Sequence, residues 1–302
     1  MNYAVIDLGS NSVHLLVLSF KDGRMEKIYS GREMTGLAGY ISNGVLGMDG
    51  IQKACETVNS LREIALDRVE PSNLYLFATA SIRNIKNREE AVSVIAKETS
   101  LVPDVLDGEE EAKLGFMGVA TNTDFNDGLM VDIGGASTEL VLFKGKKIVN
   151  ITSMPFGSLS LYVDHVRRTV PTADERKSIK RSVEEHLSEI DWADGVTCIR
   201  IVGIGGTLRA MQKLARVLSF TDDDRKDIEA YRVKDIIRLL KSRESGAYHM
   251  IYKTIPERIL TIFPGLIILH QIIKKFGCET ITVSRSGIRD GYLINKVLKN
   301  DL

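Results

Sequence analysis

Two segments of the chain place an aspartate at the end of an apolar run and follow it with small and hydroxyl residues. They are Asp7-Leu8-Gly9-Ser10-Asn11-Ser12 and Asp132-Ile133-Gly134-Gly135-Ala136-Ser137-Thr138. Backbone N–H groups and hydroxyls at such turns can cradle phosphate oxygens, while the carboxylate faces a metal ion or its waters. Asp7 and Asp132 are thus candidate metal-facing groups. Gly9, Ser10, Asn11 and Ser12 in the first turn, and Gly134, Gly135, Ala136, Ser137 and Thr138 in the second, are candidate phosphate contacts. Either turn alone says little, because Gly, Ser and Asn are the ordinary vocabulary of hairpins. A third segment, Gly203-Ile204-Gly205-Gly206-Thr207, follows an apolar run and opens a helical pattern, so Gly205 and Gly206 would let an anion approach a helix N-terminus. It has neither dinucleotide-fold nor P-loop spacing. Three such segments in one chain exceed what turn chemistry alone explains.

The elements that must position them follow from apolar periodicity. Tyr3–Ile6 and Val13–Phe20 read as strands joined by the first turn, and Met25–Ser30 as a third strand. Ile51, Ala54, Cys55, Val58, Leu61 and Ala65 recur at helical spacing; Leu74–Thr79 reads as a buried strand and Glu89–Thr99 as a helix. The second half begins the same way, with strands at 128–132 and 139–143 around the second turn. Val5–Gly9 overlays Met130–Gly134 without a gap, and the same offset of 125 residues brings Ser12 onto Ser137 and Leu15 onto Leu140. Further on, Thr172 and Glu175 form a capping box ahead of Ile179, Val183 and Leu187, and Cys198–Val202 reads as a strand leading into a helix over Leu208–Leu218. Tyr231–Lys275 is expected to be helical with Pro264-Gly265 dividing it, Thr280–Ser284 to be a last strand, and Ser286–Leu302 a closing helix. This order implies mixed sheets covered by helices.

Composition bounds the partners. The 40 basic and 40 acidic side chains cancel, so no global field draws the chain to nucleic acid or to a membrane, and any bound anion must be held by a local site. Aromatic residues make up 6% and do not alternate with basic ones, which leaves single-stranded nucleic-acid binding unsupported. Cys55, Cys198 and Cys278 show no paired spacing, and no segment reads as a leader or a membrane span, so a cytoplasmic location is expected. The five histidines, His14, His165, His186, His249 and His270, show no metal-ligand spacing.

Several ordered blocks resemble the exopolyphosphatase / guanosine-pentaphosphate phosphohydrolase (Ppx/GppA) family of the actin-like ATPase superfamily. They are the two aspartate turns, Ala78-Thr79-Ala80-Ser81-Ile82-Arg83, Gly108-Glu109-Glu110-Glu111-Ala112, the Gly203–Thr207 segment, Pro264-Gly265-Leu266 and Ser286-Gly287-Ile288-Arg289-Asp290-Gly291. The resemblance implies that Glu111 is the base that activates water, that Asp132 and Glu139 hold Mg²⁺ or orient that water, and that Arg83 and Arg289 bind phosphate oxygens. Read from the residues alone, Glu111 would be an acidic first-turn residue favoured by the helix dipole, Glu139 a solvated strand face and Arg83 a surface charge. Two departures stand out: Ala136 where the family usually has a third glycine, and Arg285 where many members carry an acid.

The expected architecture is α/β: two actin-like (ribonuclease H-like) domains, 1–124 and 125–302, with an interdomain cleft and a last helix that could return to the first domain. At 302 residues the chain is expected to hold just the two core domains. The expected reaction is release of orthophosphate from the end of inorganic polyphosphate by direct attack of water with Mg²⁺. Guanosine pentaphosphate hydrolysis, a non-catalytic guanosine tetraphosphate regulator and a kinase of the same superfamily are the rival readings. The resemblance makes a homodimer plausible.

Overall fold

The computed structural model describes residues 1–21, 24–121, 123–221, 227–241 and 245–300. In the first unit, β1 (Asn2–Leu8) and β2 (Ser12–Lys21) form the expected antiparallel hairpin, and β3 (Arg24–Met34) adds to the outside of β2. A small ribbon, β4 (Ile41–Ser42) and β5 (Val45–Leu46), precedes α1 (Met48–Leu66), which buries the predicted stripe from Ile51 to Ala65. Then come β6 (Leu74–Ala78), parallel to β1, α2 (Ala80–Arg83), α3 (Arg88–Thr99), β7 (Asp104–Val105) and α4 (Gly108–Ala120). The sheet order is β3-β2-β1-β6-β7.

Successive side chains of a strand point to opposite faces. Ala4, Ile6 and Leu8 accordingly pack with α1 and α3 residues, while Tyr3 and Val5 pack with Phe77 and Leu114. Burial on both faces explains why β1 reads as a continuous apolar run rather than an alternation.

The second unit contains β8 (Gly128–Ile133), β9 (Thr138–Lys144), β10 (Lys147–Met154), α5 (Ser158–His165) and α6 (Ala173–Ser188), the last opened by the expected box of Thr172 and Glu175. It continues with β11 (Arg200–Ile204), α7 (Gly205–Val217), β12 (Asp227–Glu229), α8 (Arg232–Lys241), α9 (Ser245–Thr254), α10 (Ile262–Phe276) and β13 (Thr280–Val283). Its sheet order is β10-β9-β8-β11-β13-β12. Pro264 lies in the first turn of α10, where its missing N–H costs no helical bond, so it starts this helix rather than dividing a longer one.

The final helix, α11 (Ile288–Asn300), belongs to the first unit: Tyr292, Leu293 and Val297 complete the core around Tyr3, Val5 and Phe77. The units are residues 1–118 with 288–302, and residues 119–287. The boundary expected at 124/125 therefore falls six residues earlier, and the last helix leaves the second half. Residues 242–244 of the expected helical stretch and 301–302 of the closing helix lie outside the described residues.

The repeat extends to hydrogen-bond register. The pairs from Tyr3↔Leu18 to Leu8↔Val13 recur from Gly128↔Phe143 to Ile133↔Thr138, at the offset that the sequence shows. In both units the fourth strand of the sheet in chain order then runs parallel to the first, β6 beside β1 and β11 beside β8. Ser81 Oγ donates to Leu8 O at 3.0 Å, and Thr207 Oγ1 donates to Ile133 O at 2.8 Å. A buried hydroxyl from the helix after that fourth strand thus ties down the end of the first strand in each unit. Both units have the actin-like α/β topology. Among the described residues no helix is long and apolar enough to cross a membrane.

Candidate phosphate-binding and catalytic site

The first turn is tight. A Cβ on Gly9 would stand 2.9 Å from Ser12 O, and one on Gly134 would stand 3.1 Å from Ser137 O, so both turns exclude a side chain at the same place. Asn11 O accepts from Thr35 N and Gly36 N, and Ser10 O accepts from Ala38 N, which fixes the turn against the segment after β3. Ser12 Oγ lies 2.9 Å from His14 Nε2, and His14 stands opposite Asp7 in register.

Three consecutive glutamates open α4, and the fold gives each a different partner. Glu110 closes a capping box with Asp107, its carboxylate accepting from Asp107 N at 3.0 Å while its own N–H donates to Asp107 Oδ1 at 2.8 Å. Glu109 meets Lys113 on the exposed helix face at 3.0 Å. Glu111 turns inward to Arg83, whose Nη1 donates to Glu111 Oε2 at 2.9 Å and to Leu106 O at 2.8 Å. Their side chains are only 15% (Arg83) and 13% (Glu111) exposed, so Arg83 is not a surface charge and Glu111 is more than a dipole-favoured acid. A guanidinium has five N–H donors, more than these two contacts consume. Arg289, in the first turn of α11, carries a buried Nη1 with no hydrogen-bond partner among the described residues. An unmatched buried N–H is costly, and an anion would satisfy it.

In the second unit, the turn after β8 is locked to the start of α5. Ser158 N and Oγ donate to Gly134 O at 2.9 and 3.0 Å, and Leu159 N and Ser160 N donate to Gly135 O at 2.8 and 2.9 Å. A Cβ on Gly157 would stand 2.5 Å from Gly134 O, so this approach needs glycine. Thr138 is fully buried and donates its hydroxyl to Phe156 O at 2.8 Å; it braces the turn rather than offering that proton to phosphate. Ser137 is also buried, whereas Gly134, Gly135 and Ala136 remain part-exposed. The third segment contains no loop: β11 ends at Ile204 and α7 starts at Gly205. Gly205 has φ +79°, and a Cβ there would collide with the Asp132 carboxylate; one on Gly206 would collide with the Arg258 guanidinium. Arg258 carries no motif signal in the sequence, and its place against Gly206 is purely tertiary.

The model of the Ppx/GppA phosphatase family matches residues 16–300. The chain belongs to that family. The guanosine-5'-triphosphate,3'-diphosphate pyrophosphatase of Vibrio cholerae is 27% identical, covering 98% of this chain and 59% of the relative. That of Photobacterium profundum is 26% identical, again over 98% and 59%. The chain thus spans about three fifths of the length of the curated relatives it matches. The Ppx/GppA family member of Aquifex aeolicus superposes with a TM-score of 0.81 at 28% identity, covering 100% of this chain and 99% of that one. An exopolyphosphatase of Cytophaga hutchinsonii shares the fold with a TM-score of 0.86 at 21% identity, over 99% and 98%.

The acidic residues of this Ppx/GppA chain suit a hard cation. Asp132 and Glu139 stand directly opposite on β8 and β9. Glu139 is 1% exposed, not on a solvated face, and its Oε1 accepts from Ser153 Oγ at 2.9 Å. Like charges directly across a sheet are unfavourable unless a cation offsets them. Among the described residues no cluster of three or more His, Cys, Asp or Glu could hold a metal by itself, and Asp7 lies in the first unit while the other two lie in the second. Mg²⁺ commonly takes one or two carboxylates, several waters and substrate phosphates, a requirement the Asp132–Glu139 pair fits.

Proposed function

We propose that this chain hydrolyses the terminal phosphoanhydride of inorganic polyphosphate and releases orthophosphate. The observation that carries the reading is the Arg83–Glu111 pair, 2.9 Å apart and largely buried, in a family of phosphatases. Glu111 acts as the base: it takes a proton from water as the water oxygen bonds to the terminal phosphorus, the bridging P–O bond breaks, and its electron pair leaves with the shortened chain. Arg83 holds the Glu111 carboxylate in place and turns its remaining donors to phosphate oxygens. Arg289 contributes its unmatched Nη1. Gly9, Ser10, Asn11 and Ser12 in the first unit offer backbone and hydroxyl donors suited to phosphate oxygens, and Gly134, Gly135 and Ala136 offer backbone donors of the same kind in the second. Asp132 and Glu139 would hold Mg²⁺, which when bound neutralises phosphate charge.

A second reading has its own support. The Vibrio cholerae and Photobacterium profundum relatives are named for a guanosine substrate, so guanosine pentaphosphate is the alternative, ending in the same kind of bond. Phosphate release from polyphosphate, guanosine pentaphosphate and ATP, with and without Mg²⁺, tests both. The first reading expects Mg²⁺-dependent release fastest from polyphosphate at equal concentrations of chain ends. Faster release from guanosine pentaphosphate reverses the order, and binding without release from any of them removes the enzymatic reading.

A further inference from the structure

A pocket of about 230 Å³ opens in the second unit against α6, α8 and α10. Arg176 and Lys180 reach it from α6, and Lys234, Arg238 and Lys241 from α8. Lys274 joins them from α10, beside His270 and Gln271, over a floor of Ile237 and Ile267. The lining holds no carboxylate, in a chain whose total charge is zero. None of these residues belongs to the phosphate turns or to the Arg83–Glu111 pair.

Helix ends explain only part of this. Arg238, Lys241 and Lys274 lie in last turns, where cations are favoured. Arg176 and Lys234 lie near the starts of α6 and α8, where the same dipole opposes a cation. Two of these cations have acid partners on their own helices, Lys180 with Glu184 at 3.4 Å and Arg238 with Asp235 at 3.3 Å, in exposed pairs that solvent screens, and Arg176 Nη1 donates to Pro171 O at 2.7 Å. The cations also act on one another. Burial, then Arg176 and Arg238, hold the Lys241 amine below its usual range; burial, then Lys274, Lys234, Lys241 and Lys180, do the same for the His270 imidazole. Gln271 Nε2 lies 3.2 Å from His270 Nδ1, so an Nδ1 that accepts leaves the proton on Nε2 as a donor.

We infer that this pocket is a binding site, separate from the hydrolytic residues, for a compact and multiply charged phosphate anion of pyrophosphate or tripolyphosphate size. Its volume of about 230 Å³ falls below the roughly 300–1,000 Å³ of clefts that enclose drug-sized ligands, which favours a short phosphate chain over a whole nucleotide. Such an anion offsets the mutual repulsion of the lysines and accepts from several ammonium groups at once.

Mass-spectrometric mapping of lysine acetylation on the full chain tests the site without relying on turnover. The Glu111→Gln protein keeps the probe, tripolyphosphate, intact. At saturation, labelling of Lys234, Lys241 and Lys274 is expected to fall about tenfold or more, because an ammonium group held by phosphate oxygens must first be released to react. The exposed Lys97 and Lys147 should label as before. Added to Glu111→Gln, the pair Lys234→Gln with Lys241→Gln should abolish protection of Lys274, and in an otherwise unaltered chain the same pair should leave phosphate release from the hydrolytic site unchanged. Equal labelling with and without tripolyphosphate would overturn the inference. So would protection reproduced by sulfate at the same ionic strength, protection of all lysines alike, or protection by GTP but not by tripolyphosphate.

Discussion

At the residue scale, Glu111 and Arg83 separate chemistry from stability. Glu111→Gln keeps the shape and loses the proton acceptor, so kcat should fall by roughly 10²–10⁴ while KM stays within a few fold. Steady-state kinetics on polyphosphate checks this, and near-normal turnover would remove Glu111 from the mechanism. Arg83→Met leaves the largely buried carboxylate without its 2.9 Å partner. Breaking such a pair costs about 3 kcal/mol, read as a lower denaturant midpoint with unchanged slope. His270 gives a pH signature. Burial and the facing Lys274, Lys234, Lys241 and Lys180 depress its pKa, so folding favours the neutral ring. Its contribution is present above the unfolded value of about 6.5 and is lost as pH falls through the lower folded value. An imidazole NMR titration should find the midpoint below that of a free histidine, and one at or above it would contradict the packing.

At the element scale, the two turns are held by contacts that differ from the residues forming them. Thr207→Val keeps the volume, removes the 2.8 Å bond and strands Ile133 O; about 1–3 kcal/mol of stability should go with it. Thermal unfolding measures this, and a change within a few tenths of a kcal/mol would mean that water replaces the hydroxyl. Gly157→Ala fails for another reason. Its backbone is extended, with φ −140°, but the new methyl would push on the backbone of Gly134 and Gly135. The second turn would then shift as well as the fold loosening, with ~1–3 kcal/mol lost and phosphate affinity reduced. Gly277→Ala is the control: φ is +64° in open space, so it should cost about 1 kcal/mol and leave phosphate binding alone.

At the scale of the molecule, the first unit is built from both ends of the sequence. Tyr292 packs on Phe77 with ring centroids 4.9 Å apart and donates to Asp104 at 3.0 Å, and Lys296 reaches the same carboxylate at 3.3 Å. Burial, then Asp104, push the phenol pKa up, which keeps it a neutral donor. Removing 288–302 would expose the face of the sheet that carries Tyr3, Val5 and Phe77. The expected result is early melting of the first unit, followed by hydrogen exchange in β1 and β6. Full protection of those strands after truncation would show that α11 is dispensable to this core.

The sequence by itself determined the local and the repeated features. The offset that overlays Asp7 on Asp132 is also the offset of strand pairing, because a hairpin's register follows from its turn length and its apolar faces. The α1 stripe and the box of Thr172 and Glu175 were legible for the same reason, since their partners lie within a few residues. Partner choice across long separations was decided only by tertiary structure. Nothing in Glu109-Glu110-Glu111 says which acid faces Arg83; that depends on the rotation of α4 against the sheet. The burial of Glu139, the fit of Gly205 against Asp132, the return of α11 and the clustering of cations from three helices likewise arise when distant segments close on one another. Periodicity records which side of an element is buried, and only chain closure decides what lies against it.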